Sequence, residues 1–469
     1  MSRWHGRARK VGSAARVVLA LALAAATPAA AETLSDTLVQ AYRTSPLLEQ
    51  QRYLLRADDE DVAVAVSALR PAISFQSSLS SGVTRNRLAG RNVGNSASLQ
   101  LVLDYTVLDG GQRALRLAAA KEAVLGARFG LVQFEQNVLL DAVLAYFDLR
   151  FAVAVVGVQE SNVRLVGEQL RAAQDRFEVG EATRTDVAIA ESRLAMGRSM
   201  LAAARGQVDI AREAYRMATG ALPDSPLAAP PAPPALPPSL DRAQALALQI
   251  HPLITAGQHQ VAALTLLADA RAADRLPELG ARLSAGQVRD RGSDLTASVT
   301  ASVPIYTGGR LPALQRQAIA QAQAARADLG MTSREIVEGV GNAWAALAVA
   351  RAQITATDEG VRAAQLAADG LREEAALGAR TTLDVLDAEQ DLLDARTDRL
   401  QAENDSQMAV YRMLAAIGLL TTEHLGLTVE RYDPDAYYDA VSTAPQGVIV
   451  RPSERGNRLD RVMERFGRN

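Results

Sequence analysis

Few residues of this chain could carry out chemistry. The sequence has no cysteine and four histidines, which excludes disulfides, thiolate metal ligands and cysteine nucleophiles. His251 and His259 are eight residues apart, whereas two metal ligands on one helix face are separated by four positions. The sequence also contains no phosphate-binding loop and no nucleophile elbow. These observations argue against an enzyme and predict no catalytic residue, no cofactor and no metal site.

Two carboxylates in the second half of the chain form its clearest charged arrangement. Asp384 and Asp387 are three residues apart, so a helix would place both on one face. One interpretation is a pair of charges that faces a narrow passage and favours cations. The other is that they are acidic residues of a first helical turn, where the helix dipole favours them.

Composition points to long packed helices. The 469 residues are 48% hydrophobic but only 4% aromatic, and the apolar residues are mostly alanine, leucine and valine, as in helical packing. The 50 basic and 53 acidic residues nearly balance. Nucleic-acid binding normally needs a basic surface, so we expect no nucleic-acid partner.

The first 31 residues have the order of a secretory signal peptide. A basic stretch precedes an apolar run from Val17 to Ala26, and small residues precede the predicted cleavage between Ala31 and Glu32. The apolar run is shorter than the ~20 residues that a membrane-spanning helix needs. We therefore predict export without a transmembrane helix.

The remaining chain contains the same pattern twice. Pro46 corresponds to Pro252, 206 positions later, whereas Gly180 corresponds to Gly378, 198 positions later. The first half must therefore carry eight extra residues, which we place in a surface loop. The predicted segments are a first repeat over 32–221, a proline-rich linker over 222–238, a second repeat over 239–420, and a final segment with a basic tail over 421–469.

Each repeat contains two stretches in which apolar and polar residues alternate. They predict strands over 72–81, 96–107, 278–287 and 294–305, with a polar loop over 82–95. Strands of ~10 residues with one apolar face suit an outer-membrane barrel. A soluble β-sandwich is the alternative.

Four strands cannot close a barrel around a usable lumen, and lipid does not tolerate open sheet edges. If the strands contact outer-membrane lipid, the protein must therefore oligomerise. Three copies would supply twelve strands, an allowed even number.

Each repeat also predicts one long helix, over 112–179 and 311–377, with a turn at Gly180 or Gly378. Apolar pairs recur every seven residues in the first of these helices, which is the repeat of a supercoiled helix packed against partners. Its length would be ~100 Å. The flanking segments 34–69 and 185–219 together match that length, so we expect them to stack end to end beside it.

These features together resemble the TolC family of outer-membrane channel proteins. The resemblance rests on the signal peptide, the two helix-hairpin-helix repeats and the turn sequences RFEVGEATRTDV (176–187) and LGARTTLDVLDAE (377–389). It implies a mainly α fold with membrane β structure: a homotrimer whose twelve-stranded outer-membrane barrel continues into a periplasmic α-helical coiled-coil barrel. It also implies the outer membrane of a Gram-negative bacterium as the location.

The resemblance further implies a passive exit duct for type I protein secretion, multidrug efflux or both. Its partners would be a periplasmic adaptor (membrane fusion) protein and an inner-membrane transporter, either an ABC transporter or a proton-driven pump. A periplasmic adaptor with a coiled-coil hairpin is the alternative for this chain. Such an adaptor would usually have one hairpin and soluble β-domains.

Site residues follow from the same resemblance. Asp384 and Asp387 match the family's acidic ring at the periplasmic entrance, and Arg380 matches a gate latch whose expected partners are Thr185 and Asp186. At the position of the family's aromatic gate residue this chain has Ala375. The predicted adaptor-contacting tips are Val179, Gly180, Glu181, Ala182 and Thr183 in the first repeat and Leu377, Gly378, Ala379 and Thr381 in the second.

Overall fold

The computed structural model describes residues 31–86, 90–288 and 292–445, without the side chains of 83–95. Its helices are α1 (Leu34–Thr44), α2 (Pro46–Ser67), α3 (Gln112–Glu178), α4 (Arg184–Thr219), α5 (Leu240–Ile250), α6 (Pro252–Ala273), α7 (Arg310–Ala376), α8 (Thr382–Ile417) and α9 (Pro434–Val441). Its strands are β1 (Ala72–Asn86), β2 (Gly90–Leu108), β3 (Glu278–Val288) and β4 (Gly292–Ser302). The predicted signal peptide (1–31), apart from Ala31, and the basic tail after residue 445 lie outside the described residues. None of the described helices has the length and apolarity to cross a membrane.

The strands form one antiparallel sheet in the order β1-β2-β3-β4. Where the sequence pattern indicated a loop over 82–95, the structure continues β1 to Asn86 and begins β2 at Gly90. The extra residues of the first repeat therefore lengthen its hairpin, because backbone pairing does not require apolar side chains. β4 ends at Ser302, three residues before the predicted end, since Pro304 has no N–H for a ladder hydrogen bond.

The two faces of the sheet differ in polarity. Cross-strand partners on one face are apolar, as in Phe75 opposite Leu101 and Leu101 opposite Ala285. On the other face Asp104 lies opposite Arg282. The guanidinium of Arg282 donates to both carboxylate oxygens, at 2.6 Å and 3.2 Å. This ion pair joins β2 to β3, which is the contact between the two repeats within the sheet.

The helices form a layer that keeps the order of the strands. Next to the sheet, α2 contacts α3, α3 contacts α6, and α6 contacts α7. Towards the other end the order is α4, α3, α8 and α7. Since α3 and α7 run the whole length, α2 with α4 forms one edge of the layer and α7 forms the opposite edge.

The shorter helices stack end to end, as the sequence lengths predicted. The hydroxyl of Thr44, at the end of α1, donates to the carbonyl of Thr219 at the end of α4, at 2.5 Å. In the second repeat, a Cβ on Gly418 would lie 3.0 Å from Cα of His251, which precedes α6. The ends of α4 and α8 therefore lie against the starts of the helices that continue towards the sheet.

The main core lies at this junction. It includes the fully buried Tyr146, Phe147 and Tyr215, together with Tyr411. Phe147 packs edge-on against Tyr146, with ring centroids 5.6 Å apart, and contacts Tyr411 at 5.8 Å. This cluster holds α1, α3, α4 and α8 together.

The last described segment, residues 430–445, runs along α2 towards the sheet. Arg128 of α3 donates to Asp435 at 2.6 Å and lies over the ring of Tyr438 at 5.1 Å. Near the base of β1, Arg70 donates to the carbonyls of Thr443 and Ala444. Two arginines therefore fix this segment, one at its middle and one at its last described residues.

Asp59 of α2 is fully buried beneath this segment, and neither carboxylate oxygen has a hydrogen-bond partner. Burial raises its pKa to about 6, against the opposing effect of Arg128. Because the folded chain holds this proton more tightly than the unfolded chain, stability falls as pH rises from about 4 to about 6. Asp58 and Glu60 act in the same direction as burial, whereas Arg56 acts against it.

We predict that Asp59→Asn stabilises the protein at pH 7.5 by ~3 kcal/mol. The difference in stability should nearly vanish at pH 4, which lies well below the folded pKa of Asp59 and close to its unfolded pKa. Thermal unfolding followed by helical circular dichroism at the two pH values measures this difference. An equal effect at both pH values would show that titration is not the cause.

Candidate functional site at the helix-hairpin tips

The first tip joins α3 to α4 through a tight turn. Gly180 has φ of +80°, a left-handed conformation that favours glycine. The N–H groups of Glu181 and Ala182 both donate to the carbonyl of Arg176, at 2.8 Å and 3.3 Å. The last carbonyls of α3 are thereby satisfied by the turn itself.

The second tip repeats this geometry between α7 and α8. Gly378 has φ of +76°, and the N–H of Ala379 donates to the carbonyl of Glu374 at 2.9 Å. Equivalent backbone bonds at both tips agree with the sequence correspondence at 198 positions. The two tips therefore have the same turn structure.

Each tip ends in a capping box that fixes the start of the next helix. Thr183 and Asp186 cap α4, and Thr381 and Asp384 cap α8. The N–H of Thr381, with its hydroxyl, donates to the carboxylate of Asp384 and holds its pKa below the usual range. Asp186 has a lowered pKa for the same reason. Both carboxylates are therefore ionised, with one oxygen committed to the cap.

Apolar side chains at the tips are unusually exposed. Leu377 is 86% exposed and Val179 is 71% exposed. Ala182 is half-buried. Exposed apolar residues at the end of a projection are suited to contact with another protein.

The predicted latch residues are not brought together within one chain. Arg380 donates to Glu374 at 2.8 Å, on its own hairpin. Asp186 is bound to Thr183, and Thr185 is exposed. Within the chain Arg380 therefore binds Glu374, six residues earlier, and neither of the expected partners. A link from Arg380 to Thr185 or Asp186 stays a prediction for neighbouring copies.

The two aspartates have different surroundings. Asp384 accepts the cap hydrogen bonds, whereas Asp387 accepts a hydrogen bond from Arg193 of α4 at 2.5 Å. The sequence reasoning missed Arg193, because no motif or spacing connects residues of α4 and α8. Asp387 is 54% exposed and Arg193 is 32% exposed.

Glu32, the predicted first residue after cleavage, lies near the C-terminal end of α4. Its N–H donates to the carbonyl of Pro226 at 3.1 Å, and its carboxylate accepts from the hydroxyl of Tyr215 at 2.5 Å. Its side chain is therefore bonded to a tyrosine of the main core, and its backbone is bonded to the linker. Among the described residues, no three His, Asp or Glu side chains are grouped to hold a metal ion.

The architecture defines a class of protein. Two repeats, each with a β-hairpin followed by a helix of ~100 Å that turns back into a shorter helix, are the protomer of an outer-membrane channel. The chain belongs to the outer membrane efflux protein family, whose sequence model matches residues 37–221 and 244–419. The resemblance to the TolC family is therefore confirmed, as are the predicted fold class and the outer-membrane location.

Known proteins agree with this assignment. The chain is 38% identical over 435 residues to the outer membrane efflux protein BepC of Brucella suis, covering 91% of this chain and 94% of BepC. It is 28% identical to the alkaline protease secretion protein AprF of Pseudomonas aeruginosa, over 54% of this chain and 56% of AprF. The fold is similar to the CmeC outer membrane channel of Campylobacter jejuni, with a TM-score of 0.75 at 16% identity, covering 88% of this chain and 89% of CmeC.

We predict that Thr381→Ala loosens the second tip. The substitution removes the hydroxyl that accepts from the N–H of Asp384, so amide exchange in the first turn of α8 should accelerate about fivefold. Hydrogen-exchange mass spectrometry measures it. Thr183→Ala should have the same effect on α4, and Thr185→Ala, outside the cap, should have none.

Proposed function

We propose that the protein is a passive, trimeric exit duct that conducts substrates from an inner-membrane transporter and a periplasmic adaptor to the exterior. The observation that carries this proposal is the common order of the strands and the helices. β1 and the stacked α2 and α4 form one edge of the protomer, and β4 and α7 form the other. Copies placed side by side would extend the sheet and the helical layer together.

The open edges of the sheet support oligomerisation. β1 and β4 each have one partner within the described chain, and an unpaired edge in hydrocarbon costs several kcal/mol per group. Three copies give twelve strands, which is an allowed barrel. The side with Phe75 and Leu101 would face lipid, and the side with Asp104 and Arg282 would face the lumen.

The helical edges also expose apolar side chains. Leu366 of α7 is 77% exposed, and Met217 of α4 is 90% exposed. In the single chain such residues contact solvent, whereas neighbouring copies could cover them. This supports self-association along the whole length of the protein.

The tips are the proposed contact with the adaptor. Val179 and Leu377 offer apolar side chains, and Glu181 and Ala379 lie beside them in rigid turns. The efflux protein BepC and the protease secretion protein AprF are both relatives, so efflux and protein secretion both suit this chain. No part of the proposed mechanism requires catalysis by the duct.

Asp384 and Asp387 are proposed to lie around the periplasmic entrance. Three copies would place six carboxylates there. Asp384 is ionised and retains oxygen lone pairs beyond the cap, so it would favour cations. Arg380 is proposed to release Glu374 and to contact Thr185 or Asp186 of a neighbouring copy instead.

The first experiment is the mass and the conductance of the mature protein after detergent extraction. We expect a trimer by light scattering and small cation-selective pores in a planar bilayer. Asp384→Asn should reduce the reversal potential under a salt gradient, since it removes one charge per protomer. A water-soluble monomer without conductance would contradict the duct.

A second prediction concerns the charges in the barrel. Arg282→Gln leaves Asp104 uncompensated on the polar face, so three unpaired carboxylates in the trimer should increase cation selectivity. Exchanging the two residues, with Asp104→Arg and Arg282→Asp together, should restore the wild-type reversal potential. If Arg282→Gln leaves the reversal potential unchanged, the polar face does not line the conducting path.

A further inference from the structure

One ion pair connects the two helical hairpins near their tips. Arg193 of α4 donates to Asp387 of α8 at 2.5 Å. Of the ion pairs in the described residues, it is the only one that joins the α3–α4 hairpin to the α7–α8 hairpin. Asp387 lies ~8 Å along α8 from its first residue, and Arg193 lies ~14 Å along α4. The link is therefore close to both tips.

An apolar contact lies directly beside the ion pair. Leu386 of α8 is 3% exposed and packs in one cluster with Val166 of α3 and with Ala190 and Leu194 of α4. Leu386 precedes Asp387, and Leu194 follows Arg193. The second hairpin thus inserts one leucine between the helices of the first hairpin, and the adjacent charges meet at the rim of that contact.

Arg380 lacks this geometry. Its partner Glu374 is on the same hairpin, and both side chains are 51% exposed. Breaking that pair would free Arg380 but would leave both hairpins in place. Within the protomer, Arg193 is therefore the charged residue whose ion pair opposes separation of the two hairpins.

We propose that Arg193 is the positioning residue that fastens the second hairpin to the first through Asp387. This inference rests on the proposed function, and it specifies how the entrance of that duct is regulated. While the pair is intact, Leu386 stays in its contact and the tips stay close. Loss of the pair allows α8 to move away from α4, and it returns the charge of Asp387 to the entrance.

The test measures the distance between the two tips directly. Because the chain has no cysteine, Glu181→Cys and Ala379→Cys introduce one spin label at each tip. Labelled protomers are diluted with unlabelled ones, so that double electron–electron resonance spectroscopy reports the distance between the two labels of one protomer. Arg193→Gln should lengthen the mean distance by ~1–5 Å, the range of helix movements at such contacts, and broaden its distribution.

Three further variants identify the cause. Asp387→Asn should have the same effect as Arg193→Gln, and the double variant should add nothing. The exchange of Arg193→Asp with Asp387→Arg should restore the wild-type distances. Arg205→Gln is the matched control, because Arg205 pairs with Glu160 at 2.8 Å inside the first hairpin and should not affect the tips.

Unchanged tip distances in Arg193→Gln would overturn the inference, whatever the channel does. Conductance of the same variants provides the second measurement, and we expect larger pores for both single variants. A wild-type trimer that conducts while Arg193→Gln gives wild-type distances contradicts only the role of Arg193. A wild-type protein that does not conduct contradicts the duct, and the distances still decide whether the ion pair holds the hairpins.

Discussion

The constraint on which the whole structure depends is that a strand in hydrocarbon must have a partner on both sides. A single chain supplies four strands, and the outer two each lack one neighbour. Backbone hydrogen bonding in lipid therefore dictates assembly before any side chain is considered. The helices obey the same order because each long helix continues directly from a strand. One chain thus presents two complementary edges from the membrane to the tips.

Duplication explains how one sequence meets this demand. Each repeat encodes a hairpin of strands and a hairpin of helices, and Gly180 and Gly378 turn the chain back by the same backbone geometry. The repeats then diverge where they contact different neighbours. In the second repeat Arg326 lies within 3.5 Å of Thr265, whereas the first repeat has Arg128 and Asp59 at the matching positions. In the first repeat Arg128 instead contacts the final described segment, residues 430–445. That segment follows the second repeat, and no equivalent segment lies between the repeats.

The sequence predicted the fold well because its main signals are periodic. The seven-residue repeat after Gln112, the alternation after Pro71 and the paired glycines each depend on local chain geometry. The polar part of β1 was not predictable in this way, because Gly82 and its neighbours carry no apolar alternation. The ion pair of Arg193 was equally hidden. Nearly two hundred positions separate its two residues, and only the packing of α4 beside α8 brings them together.

The end-to-end stacking of helices has a mechanical consequence. At the level of Thr44 and Gly418 two of the four helical columns are interrupted, while α3 and α7 pass through unbroken. No helical backbone hydrogen bonds cross this level in the two interrupted columns, so side-chain packing must join the two parts of the shaft there. The aromatic core around Tyr146 lies at this level and supplies that packing.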